Sequence, residues 1–188
     1  MDEATLPIGE IIEEGPWLAG DPVSPPAAAV AEAFRVSMRR LAGGVCAVTV
    51  HHGGQLMGLT ATSVTSLSME PPSLLVSIRA NSSILPALRQ EKRFTVHVLT
   101  EEQTRQANVF AGRMGPGPRA GLVSWSHPRG SAQRLSGAAC HIDCRVGRVM
   151  PVFSHVVVAG VVEQVELGAG DRPLIYFDGA FRSLASAD

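Results

Sequence analysis

Short hydrophobic runs, many of them alternating with polar residues, recur along this chain between breaks rich in Gly, Pro and Ser, a pattern that predicts more strands than helices. Val45 to His51 is rich in valine and alternates little, as a strand covered on both faces would, and His52-Gly53-Gly54 makes a hairpin turn into Gln55–Leu59. Gly58 to Ser83 reads as two strands joined at the Pro71-Pro72 turn, and Phe94–Leu99 as another. Ala138–Met150 and Val156–Leu167 read as two long strands around Pro151–His155. Pro173–Phe177, a turn at Asp178-Gly179 and Ala180–Arg182 read as a last hairpin. Helical spacing is confined to three places. Ala27–Leu41 carries a stripe of Val30, Phe34 and Met38 ended by Gly43-Gly44; Ile84–Arg89 is short; and a segment opened by a Thr100–Gln103 capping box runs to Gly112. Arg113 to Gly130, with Trp125 and His127, is expected to be a long loop, and the prolines scattered through residues 1–26 predict an extended arm ahead of one domain at 27–188. With hairpin-like connections, no βαβ alternation and no G-x-G-x-x-G, a Rossmann domain is excluded. The expected fold is mainly β, an antiparallel barrel with a few flanking helices.

The first strand of the Gly58–Ser83 stretch departs from core chemistry. On a period of two, Thr60, Thr62, Ser66 and Ser68 share a face with Val64, while Leu59, Ala61, Leu67 and Met69 point the other way. A row of hydroxyls either meets water on an exposed sheet or hydrogen-bonds a ligand, and spacing alone admits both. Asn81-Ser82-Ser83 then precedes the helix at Ile84, where Ser83 is an N-cap candidate and the free N–H groups of the first turn favour an anion.

Composition narrows the function classes. At 188 residues, 45% hydrophobic, 18% charged and with a formal net charge of -1, the chain suits one soluble domain. It has no basic run, and Lys92 is its one lysine, so no nucleic-acid partner is expected. No apolar run approaches the ~20 residues of a membrane span, and the N-terminus is acidic where a signal peptide is basic, so a cytoplasmic protein is expected. Cys46, Cys140 and Cys144 contain no C-x-x-C, and on a strand His141 and Asp143 face away from Cys140 and Cys144, so no metal site is expected. There is no G-x-S-x-G, no H-E-x-x-H and no obvious carboxylate pair, which leaves the chain dependent on a borrowed cofactor.

The segment TATSVTSLSMEPPSLLVSIRANSS resembles the flavin-binding segment of the short-chain NAD(P)H:flavin oxidoreductases, the FMN-binding split-barrel family. Thr60, Ala61, Ser66, Ser68, Pro71, Pro72, Asn81 and Ser83 match its pattern. The likeness extends from about residue 30 to about residue 184, through Phe94, Val96, Val98, Leu99, Gln103, Ala107, Phe110 and Ala111 to the Pro173–Arg182 ending. It implies an antiparallel split β-barrel that binds FMN or FAD through Thr60, Ala61, Thr62, Ser63, Val64, Ser66 and Ser68, with the phosphate on Asn81, Ser82 and Ser83. The family's aspartate-histidine or serine-histidine pair falls on Ser154-His155, which makes His155 the candidate catalytic residue. His97 stands where the family usually has asparagine. The resemblance further implies NADH or NADPH as co-substrate, a homodimer with flavin near the subunit interface, and a separate flavin-dependent monooxygenase as recipient of reduced flavin. Two rival readings are a flavin enzyme on the same barrel acting directly on an organic substrate, and a non-catalytic flavin or haem binder.

Overall fold

The computed structural model describes residues 26–115, 119–126 and 133–185. In chain order its elements are α1 (Ala28–Arg39), β1 (Gly43–Gly44), β2 (Cys46–His52), β3 (Gln55–Ala61), β4 (Val64–Met69), β5 (Pro72–Arg79), α2 (Ile84–Glu91), β6 (Arg93–Val98), α3 (Thr104–Phe110), β7 (Trp125–Ser126), β8 (Arg134–Leu135), β9 (Cys140–Val152), β10 (His155–Leu167), β11 (Ile175–Phe177) and β12 (Ala180–Arg182). Contacts divide the chain into two units at Met38/Arg39. The first contains most of α1, none of whose residues is buried. The second contains all the strands.

Seven strands form one antiparallel sheet in the order β3-β2-β6-β9-β10-β5-β4. The two edge strands, β3 and β4, are consecutive in sequence with only Thr62 and Ser63 between them, so the sheet has to curl until its edges approach: a split barrel. Side chains on the concave face fill it. Val48 and Val50 of β2, Val76 and Ile78 of β5, Phe94 and Val96 of β6, and Val156 and Val158 of β10 pack there with Ile84, Leu85, Ala87 and Leu88 of α2, which plugs the interior. A second cluster lies on the opposite face of β2, where Val45, Ala47 and Leu99 meet Ala107 and Phe110 of α3, with Leu135 and Leu174. Gly58 permits that packing, since a Cβ there would stand 2.7 Å from the Phe110 ring.

Most of the predicted elements form, and the departures are local. The hydroxyl-bearing strand is two strands: the chain leaves the sheet at Thr62-Ser63, ending β3 at one edge and starting β4 at the other. The loop after α3 holds a one-turn helix at Arg119–Leu122 and a two-strand ribbon of β7 with β8, while the expectations for residues 1–25 and for His127 lie outside the described residues. Finally, the turn between the long strands shrinks to Phe153-Ser154, with Pro151 inside β9 opposite Val156. Proline is tolerated there because β6 pairs with β9 only through Arg145, leaving β9's other edge free of a ladder at Pro151. The Thr100–Gln103 box forms, Gln103 Oε1 accepting the Thr100 N–H at 3.0 Å, but it opens a short 3-10 turn that leads into α3.

Candidate functional site

The predicted site residues fall into two groups. The β3–β4 hydroxyls do not share one face. Thr60 Oγ1 donates to the Ala107 carbonyl at 2.7 Å, tying β3 to α3, and Ala61 is buried in the barrel. Past the break, Thr62 and Ser63 are exposed, Ser63 Oγ donates to Ser77 O at 2.9 Å, and Val64 pairs with Val76 over the core. A bulge then separates Ser66, opposite Leu74, from Ser68, opposite Ser73. Because Leu74 and Ser73 point to opposite faces of β5, so do Ser66 and Ser68, and Ser68 Oγ accepts the Glu70 N–H at 2.9 Å to close the turn.

The second group converges. The start of β10 pairs with the end of β5, placing His155 opposite Arg79 and Val157 opposite Ser77. Ala80 N–H donates to Ser154 O at 3.0 Å and Ser82 N–H to Arg79 O at 2.9 Å, so the turn carrying Asn81, Ser82 and Ser83 is fastened to the Ser154-His155 pair. Val76, Ile78, Val156 and Val158 point inward, which leaves Ser77, Arg79, His155 and Val157 on the outer face beside Ser63. His155 is half-buried, and its Nδ1 is 3.0 Å from Ser154 Oγ.

Ser83 stands at the first position before α2, but its backbone is helical (φ -63°, ψ -17°) and its hydroxyl makes no capping bond. A capping serine needs an extended backbone to turn its oxygen onto the next N–H groups. The helical turn begins one residue earlier, with Leu85 N–H on Ser82 O at 3.2 Å. Ser83 instead lines a cavity of about 450 Å³ with Gly54–Gly58, Arg119 and Ala120. Arg119 Nη1 donates to the Gly58 and Phe110 carbonyls at 3.2 and 3.1 Å, and no carboxylate pairs with this half-buried guanidinium among the described residues. A hydroxyl without a capping partner, a helix start and a cation without an acid suit a phosphate. The residues present therefore fit a phosphorylated flavin at this end of the barrel.

His97 belongs to neither group. It is buried on the outer face of β6, with Nε2 2.9 Å from Thr49 Oγ1 and Nδ1 2.8 Å from His141 Nδ1, and its ring meets Trp125 edge-on at 5.9 Å. Burial, then the neighbouring His141 and Arg134, push its pKa down to about 3, so it is neutral. Beside it the buried Arg134 donates to both oxygens of Asp143, at 2.8 and 2.7 Å, and to Glu166, while Thr95 Oγ1 donates to Asp143. Burial alone would raise the Asp143 pKa, but Arg134 and Thr95 outweigh it and hold the carboxylate below its usual range. A cavity of about 720 Å³ opens on this face, lined by Thr49, Thr95, Arg93, Asp143 and Glu163 among others; Arg93 is paired with Glu163 and Asp143 with Arg134. Sequence reading missed this network, Arg79 and Arg119, because each depends on cross-strand register or on a loop's return to the sheet.

Residues 38–185 match the family described as "Flavin reductase like domain". The reductase component of 4-hydroxyphenylacetate 3-monooxygenase from Thermus thermophilus is 36% identical over 153 residues, covering 81% of this chain and 96% of that protein. An FMN reductase (NADH) of Methylorubrum extorquens is 36% identical over 165 residues, covering 88% and 96%. Among solved structures, the NADH:FAD oxidoreductase of Streptomyces globisporus in complex with NAD and FAD fragments superposes with a TM-score of 0.75 at 26% identity, over 87% of this chain and 97% of that one.

Proposed function

Because the chain belongs to the flavin reductase-like family, we propose that it is an NAD(P)H:flavin oxidoreductase that reduces FMN or FAD and supplies the reduced flavin to a separate monooxygenase. The observation that carries this reading is the β5–β10 pairing, which sets Ser154-His155 beside the Asn81–Ser83 turn and the start of α2. The bound flavin supplies the redox chemistry, as acceptor of a hydride from the reduced nicotinamide. The chain's own residues bind and orient. Asn81, Ser82, Ser83 and Arg119 hold phosphate; backbone and hydroxyl groups of Thr62, Ser63 and Val64 meet the flavin ring edge; His155, steadied by Ser154, holds the nicotinamide in register. Catalysis on this account comes from proximity and exclusion of water, with no acid or base required of the protein.

Two finer readings accompany it. The chain works as a homodimer, a reading supported by the apolar side chains it leaves in the open: Leu67 and Met69 on edge strand β4, 51% and 79% exposed, and Val30 and Phe34 on α1. It works in the cytoplasm, where nicotinamide nucleotides are held and where its three unpaired cysteines stay reduced. Light scattering at micromolar concentration tests the first, and a dimer is expected.

The activity test is direct. NADH or NADPH oxidation should require added or bound flavin, need no organic substrate, and yield peroxide as the reduced flavin meets oxygen. No nicotinamide oxidation with FMN, FAD and riboflavin alike would end the reductase reading, and oxidation only with an organic substrate present would favour a flavin enzyme acting on that substrate.

A further inference from the structure

Four two-residue hairpin turns join strands among the described residues. Glu70-Pro71 between β4 and β5 turns on a proline, two others take positive φ throughout, and the β9–β10 turn puts a bulky residue where those two put Gly or Asp. The β2–β3 turn is Gly53-Gly54 and the β11–β12 turn is Asp178-Gly179, with positive φ at all four residues. Strand twist demands such backbones, and Gly, Asn and Asp supply them at little cost. The β9–β10 turn places Phe153 at its first central position, with φ 50°, a conformation in which a bulky side chain is strained. Among the described residues that ring gains little in return, being 85% exposed. A strained backbone holding a solvent-facing aromatic, two residues from His155, is a feature to explain by what the ring meets.

We propose that Phe153 and Arg79 form a seat for the adenosine diphosphate half of the nicotinamide dinucleotide, Phe153 stacking on the adenine and Arg79 facing the pyrophosphate. The inference rests on the reductase reading above. Hydride transfer needs the nicotinamide enclosed against the flavin, so a ring this exposed belongs at the rim, where the remote half of the co-substrate lies. Arg79 is opposite His155 in the β5–β10 register, so it stands on the same face and directly beside the hairpin tip. It is exposed, and no carboxylate pairs with it among the described residues. The Ala80 N–H to Ser154 O bond fixes the tip against the end of β5, so the backbones that carry ring, cation and imidazole are held side by side. An aromatic face and a guanidinium are what an adenine and a pyrophosphate require.

The test compares Phe153→Gly, Phe153→Tyr and Arg79→Gln with the unaltered protein, at saturating flavin, using NADH and reduced nicotinamide mononucleotide, which lacks the adenosine half. Phe153→Gly should raise KM for NADH about tenfold, ~1.4 kcal/mol of binding, at a level consistent with loss of one base stack. Its kcat/KM with the mononucleotide should change by less than twofold, and its melting temperature should hold or rise, because glycine relieves the positive φ. Phe153→Tyr should restore the NADH KM, and Arg79→Gln should raise it while sparing the mononucleotide. An unchanged NADH KM in Phe153→Gly, equal losses with both nucleotides, or a variant that dissociates in light scattering would each overturn the seat. Failure of the unaltered protein to oxidise NADH with any flavin would instead overturn the reductase reading on which it rests.

Discussion

Replacing His97 by asparagine, the residue the family usually carries, should flatten the dependence of stability on pH. In the folded chain His97 is fully buried and its pKa is pushed down to about 3, chiefly by burial and then by His141 and Arg134. In the unfolded chain it titrates near ~6.5. Below that value the unfolded state binds a proton that the folded state refuses, so stability is full above about pH 6.5 and falls as the pH drops toward the folded value. The slope approaches ~1.4 kcal/mol per unit, so between pH 7 and pH 5 His97 alone removes roughly 2 kcal/mol. His141, lowered for the same first cause, adds to the fall. The paired carboxylates Asp143 and Glu163 have depressed pKa values and lose their contribution at lower pH, outside this window. His97→Asn keeps a polar group near Thr49 and His141 but leaves space and imperfect bonds, at a cost of about 1–3 kcal/mol at pH 7. Urea denaturation at half-unit steps from pH 5 to pH 8 gives both numbers. The variant should be less stable at pH 7 yet lose about 2 kcal/mol less than the unaltered protein on going to pH 5. Parallel curves would refute the argument, since they would mean that His97 is protonated to the same extent folded and unfolded.

Other outcomes follow from the site and its supports. Ser83→Asp should weaken FMN binding at least tenfold more than riboflavin binding in fluorescence titrations, with no loss of melting temperature, because aspartate repels phosphate while Ser83 has no capping bond to lose and an acid at a helix start suits the dipole. His155→Ala should raise the KM for NADH or lower the rate of flavin reduction in stopped-flow traces while flavin affinity changes less; an early melt with normal reduction would make the histidine structural. Gly58→Ala should cost about 1–3 kcal/mol in denaturant titration, since the new methyl meets the Phe110 ring at 2.7 Å.

What the sequence made legible was local. Gly53-Gly54 and Asp178-Gly179 announce their turns because few other residues take those backbones, and the valine runs announce β2 as a strand covered on both faces and β10 as a strand inside the sheet. What it concealed depends on a distant partner. The bulge between Ser66 and Ser68 is defined by pairing with Leu74 and Ser73, so a count on a period of two carried straight through it and gave a hydroxyl face that does not form. Pro151 reads as a breaker, and is harmless only because β6 has already ended alongside. His97 and His141 look like isolated histidines until the β6–β9 register sets them side by side.

The β5–β10 pairing that assembles the rim also dates it. Arg79 and His155 are 76 positions apart, and every other rung between these strands joins parts of the chain still farther apart. Contacts of that separation form late, after loop closure has been met by the nearer hairpins β2–β3, β4–β5 and β9–β10. A refolding chain can thus own all three hairpins and still lack a rim, so flavin capture reports the final docking of one half of the barrel on the other.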